Sequence, residues 1–95
     1  MNFKTIKQWA NEKGIGVDLF PLHAQKALVI EMNGKFHIAL AENLTEEEKC
    51  ICLLHELGHI MTNSFYAVSD PDQERIRKEK LADQWAFTTE LKFRQ

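Results

Sequence analysis

Residues 45–64 constrain this chain more than any other stretch, because a capped, acidic helix start leads directly into His55-Glu56-Leu57-Gly58-His59. Thr45 and Glu48 have the form of a capping box, in which the Thr hydroxyl accepts from the amide three residues on and the Glu reaches back to the cap. Glu46 and Glu47 complement the positive end of the helix dipole. A helix is therefore predicted from about residue 46. Leu53, Leu57, Ile60, Met61 and Ser64 repeat at helical spacing and predict a core-facing side, while Cys52, His55, Glu56, His59 and Asn63 fall on another. At 3.6 residues per turn the imidazoles of His55 and His59 share a face, with Glu56 at its edge. Two imidazoles four residues apart can hold one zinc ion, with the intervening carboxylate in reach of a water on that ion. Gly58 costs roughly 1 kcal/mol in a helix interior relative to Ala, which points to close approach of backbone or substrate, the alternative being that it is merely tolerated.

Two imidazoles do not complete a catalytic zinc site, which usually has three protein ligands and one position open to water. Downstream, Asp70-Pro71-Asp72-Gln73 reads as a second helix start, with Asp70 as N-cap, Pro71 at the first helical position and Gln73 completing a capping box. On the long helix that follows, Glu79 and Asp83 are four apart and share a face, whereas Leu81, Ala82, Trp85, Ala86 and Thr88 make a largely apolar side. Glu79 is the first candidate for the third ligand. Ligating histidines commonly give their second ring N–H to a carboxylate, so Asp83 is the expected partner of His55. The reverse assignment, with Asp83 on the metal, stays open at this point.

The segments Thr45-Glu46-Glu47-Glu48-Lys49, Leu53-Leu54-His55-Glu56-Leu57-Gly58-His59-Ile60 and Glu79-Lys80-Leu81-Ala82-Asp83-Gln84-Trp85-Ala86 together resemble the ImmA/IrrE family of small zinc metallopeptidases, over roughly residues 26 to 90. The resemblance implies a zincin-like domain in which His55, His59 and Glu79 bind zinc and Glu56 is the general base. It further implies regulated cleavage of a helix-turn-helix repressor in phage or mobile-element control.

The N-terminal half reads as scaffold. Phe3, Ile6, Trp9 and Ala10 form an apolar stripe on a helix that Gly14 would end. Ala27 to Met32 and Lys35 to Ala41 flank Asn33-Gly34, the strongest short-range signal for a two-residue hairpin, and Val17 to Phe20 supplies a third strand ahead of Pro21. The expected fold class is α+β: one domain over residues 1–95, with an N-terminal helix, a small antiparallel sheet, the histidine-bearing helix and a C-terminal helix carrying the third ligand. By analogy with other zincins, Phe36 to Leu40 is the expected edge strand for aligning an extended peptide.

Composition narrows the partners. A net charge of -2 and a pI near 6.1 give no general attraction to phosphate backbones, so direct nucleic-acid binding is not expected. The start, Met1 to Lys7, lacks the apolar stretch of a signal peptide, and no run is long enough to span a bilayer, so a cytoplasmic protein is expected. Cys50 and Cys52 diverge on a helix and are unsuited to a mutual disulfide. Both read as packing residues, with Cys52 also considered as a competing ligand one turn before His55.

The implied chemistry is hydrolysis of a peptide bond by a water that zinc acidifies and Glu56 deprotonates. A donor to the oxyanion would come from Tyr66, His23 or His37, with Tyr66 first because it lies in the segment between the two zinc helices. The competing reading is a catalytically latent zinc-binding module that sequesters a regulatory partner through the same ligands. Glu56 favours the peptidase, since a closed structural site has no use for a carboxylate there.

Overall fold

Local capping sets the first element of the computed structural model, which describes residues 1–94. Helix α1 spans Phe3–Glu12, and the Asn2 side chain accepts from the amides of Lys4 and Thr5. Gly14, at φ +82°, reverses the chain after it, and the amide of Ile15 donates back to the Ala10 carbonyl at 3.0 Å.

Strand β1 (Gly16–Phe20) is followed by β2 (Ala27–Met32) and β3 (Lys35–Ala41). Asn33 and Gly34 both have positive φ, 54° and 77°, and close β2 on β3 as an antiparallel hairpin with Met32 opposite Lys35. The sheet order is β1-β3-β2, and β1 pairs with β3 in parallel, Val17 opposite Ile38. The sheet is therefore mixed, where the sequence led us to expect an antiparallel one. Pro21 follows β1 directly, so no tight turn joins it to β2, and the first arm of the hairpin serves as the crossover that lets β1 run parallel to β3. A second correction follows from the same order. Phe36 to Leu40 lies on the central strand, hydrogen-bonded on both sides, and cannot be an edge. The edges are β1 and β2.

Helix α2 spans Glu46–Thr62 and begins with the complete capping box: Glu48 N donates to Thr45 Oγ1 at 3.2 Å and Thr45 N to Glu48 Oε1 at 3.0 Å. Its inner face joins α1 and the sheet in a core of Ile6, Ala10, Ile15, Val17, Ile38, Leu40, Cys50, Leu53, Leu54 and Leu57. Met61, expected inside, is exposed. Among the described residues the fully buried Leu and Ile side chains come from these elements, each contributing about 1.5–3 kcal/mol by removal from water. Cys50 is buried and Cys52 half-buried; both are free thiols whose pKa is pushed up chiefly by desolvation.

Helix α3 (Asp72–Phe93) packs mainly along α2, away from the sheet. Its start differs from expectation. Pro71, at ψ 151°, takes the N-cap position with no side-chain cap, and the helix begins at Asp72. Asp70 is drawn off instead, accepting from the Ala67 amide at 3.0 Å and from Lys78 Nζ at 3.2 Å. The buried stripe of α3 runs through Ala82 and Thr89, with Trp85, Ala86 and Phe93 packed against the core, while Thr88 is exposed. No described helix is long and apolar enough to cross a membrane.

Candidate metal centre

The close approach of α2 and α3 builds the site. Gly58 is buried, and a β-carbon placed on it would lie 2.5 Å from the Ala82 carbonyl oxygen. The close approach read from Gly58 is thus to the backbone of α3. Glu79 lies almost one turn before Ala82, and Asp83 immediately follows it, so the contact brings both carboxylates to the histidine face of α2.

Three side chains converge there. His55 Nε2 is 3.1 Å from Glu79 Oε2, His59 Nε2 is 3.1 Å from Glu79 Oε1, and the two Nε2 atoms are 3.1 Å apart. The imidazole planes are nearly perpendicular at 88°. The other ring nitrogens determine what this convergence means. His55 Nδ1 donates to Asp83 Oδ1 at 2.8 Å, and His59 Nδ1 donates to the carbonyl of Ser64 at 2.9 Å. A carboxylate and a carbonyl accept only, so each neutral ring carries its proton on Nδ1 and presents a bare lone pair at Nε2. Two lone pairs and a carboxylate facing one another at 3.1 Å repel unless a proton or a metal cation lies between them. A tetrahedral ion bound at about 2.0–2.1 Å separates its ligands by about 3.3 Å, close to the spacing found. His55, His59 and Glu79 can therefore hold a metal ion.

The structure places Asp83 behind His55, leaving the ligand position to Glu79. Cys52 is not among the converging atoms. Glu56 lines the same cleft, of about 430 Å³, together with Val29, Phe65 and Tyr66. Burial raises the pKa of Glu56, partly offset by His55 and His59, with Glu79 adding to the rise. Tyr66 is brought alongside: hydrogen bonding to the Glu79 carboxylate is the main cause that raises its phenol above the ordinary value. His23 and His37 are not brought to the site. His23 lines a separate cleft on the segment before β2, and His37 pairs with Asp18 across β1 and β3 at 2.8 Å.

Sequence reasoning missed the carbonyl of Ser64, the stacking of Phe65 on His59 and the contribution of Val29 from β2. A backbone acceptor leaves no signature in residue type. The only available signal was Asn63, a residue tolerant of left-handed backbone, placed where a helix had to end. Comparisons of the chain with protein-family models, curated proteins and solved structures give no match.

Proposed function

We propose that this chain is a zinc-dependent endopeptidase of the kind its motifs resemble, with His55, His59 and Glu79 as ligands and Glu56 as general base. The observation that carries this reading is the convergence of the His55 and His59 ring nitrogens and the Glu79 carboxylate beside the half-buried Glu56 in an open cleft. Zinc held there supplies a Lewis acid for the scissile carbonyl and a water acidic near neutral pH.

With zinc in place, Glu56 would accept a proton from the attacking water and hand it to the departing amine. Its desolvated position suits both steps, because a carboxylate with a raised pKa accepts and releases protons closer to neutrality. The Tyr66 phenol donates to the oxyanion as it forms. Asp83 and the Ser64 carbonyl hold the two imidazoles in the ligating tautomer. Extended substrate adds to the edge of β2, whose Val29 borders the cleft, so the aligning strand is β2 in place of β3. A helix-turn-helix repressor is the substrate class the resemblance suggests, in a reducing compartment suited to the two free thiols.

The test is cleavage of candidate repressors and a peptide library by the wild type and Glu56→Gln, with zinc content measured on the same samples. The reading predicts that the variant keeps its metal and loses turnover by about 10²-fold or more. Full activity in that variant would contradict it.

A further inference from the structure

The turn that follows α2 holds His59 in two ways, and its own geometry is set by Asn63. Asn63 adopts the left-handed conformation, φ 51° and ψ 47°, and returns the chain over the last helical turn. Residues 59 and 64 are then joined reciprocally: the Ser64 amide donates to the His59 carbonyl at 2.9 Å, and His59 Nδ1 donates to the Ser64 carbonyl at 2.9 Å. Ser64 is buried, its hydroxyl is 2.6 Å from that of Thr62, and the Thr62 hydroxyl donates to the Gly58 carbonyl at 2.7 Å. Next in the chain, the Phe65 ring stacks on the His59 imidazole with centroids 5.8 Å apart at 22°. Phe65 is itself stacked on Phe36 of β3, at 5.6 Å and 20°.

We infer that Asn63 is a positioning residue for the metal centre, its left-handed backbone setting the Ser64 carbonyl and the Phe65 ring against His59. Asn63 is exposed and belongs to neither the ligand set nor the cleft. Its short polar side chain tolerates this backbone region, which Gly enters freely and β-branched residues avoid. Moving residue 63 out of that region turns the Ser64 carbonyl away, frees the other tautomer of His59 and lets its Nε2 leave the position facing Glu79. The two imidazoles are thus held by different means, His55 from α3 by a side chain and His59 from the end of its own helix by the backbone. Loss of such an outer partner typically lowers metal affinity about 10–100-fold.

The inference rests on the metal-centre reading, and the experiment separates the two. Zinc affinity is measured by competition with a chromogenic chelator for the wild type, Asn63→Gly, Asn63→Val and Phe65→Ala. Nitrogen NMR of the His59 ring and circular dichroism are recorded on the metal-free proteins. Asn63→Gly is expected to keep wild-type affinity and the Nδ1–H tautomer. Asn63→Val is expected to lose about tenfold or more in affinity and to mix the tautomers, with helix content retained. Phe65→Ala, a change at the protein surface, is expected to weaken zinc severalfold without shifting the tautomer. Wild-type affinity in Asn63→Val, or an equal loss in Asn63→Gly, overturns the positioning role. If Asn63→Val does not fold, Phe65→Ala decides, and unchanged affinity there overturns it. A wild type that binds no zinc removes the metal centre and this inference with it.

Discussion

Gly58 and Ala82 meet backbone to backbone: a β-carbon on Gly58 would stand 2.5 Å from the Ala82 carbonyl oxygen and 3.0 Å from its α-carbon. No flexible side chain lies there to give way. Substituting Ala gains about 1 kcal/mol of helix propensity but forces α3 outward, and overpacking of this kind costs about 1–3 kcal/mol. Gly58→Ala is expected to lower the urea midpoint and to weaken zinc binding more than tenfold, because α3 carries Glu79. Wild-type values for both would show that the contact does not set the site.

Asp83 is exposed yet bonded to His55 Nδ1 at 2.8 Å. Asp83→Ala should leave thermal unfolding of the metal-free protein nearly unchanged and reduce zinc affinity about 10–100-fold. Chelator competition checks the second part, and calorimetry on the metal-free protein the first.

The capping box of α2 predicts an acid-side effect. The Thr45 backbone amide, then the Thr45 hydroxyl, hold the Glu48 carboxyl below its ordinary value of 4.5. A depressed folded-state pKa contributes stability above the ordinary value, and that contribution is lost as pH falls through the folded one. Melting temperature followed from neutral pH downward should therefore fall less steeply in Glu48→Gln than in wild type. Thr45→Ala should cost about 1 kcal/mol, or about 4–8 °C in a domain of this size.

Tyr66 offers a kinetic prediction. If its phenol donates to the oxyanion, Tyr66→Phe keeps zinc and substrate affinity and loses kcat by about 10²-fold. A change confined to KM would assign Tyr66 to binding alone.

Local chemistry made much of this fold readable in advance. Thr45 and Glu48 announced the start of α2, Asn33-Gly34 fixed the hairpin, and the spacing of His55, His59, Glu79 and Asp83 anticipated which atoms meet. What failed depended on partners distant in sequence or on geometry that composition does not encode. The parallel pairing of β1 with β3 depends on register between segments separated by β2. Asp70 was read as a cap because its type suits one, but Lys78 and the Ala67 amide compete for the same carboxylate. On α3, Thr88 and Thr89 are adjacent and alike, and only packing against the core selects Thr89. Ser64 acts on His59 chiefly through a carbonyl that every residue possesses, at 2.9 Å from Nδ1, with its hydroxyl at 3.3 Å from the same nitrogen.

The central claim is that His55, His59 and Glu79 together hold zinc, and the most direct measurement is metal per chain by elemental mass spectrometry. Wild type, His55→Ala and Glu79→Gln are compared after reconstitution with zinc and gel filtration. The account predicts about one zinc per wild-type chain and loss of most of it in both variants. A wild type without zinc, or variants that keep it, would contradict the account.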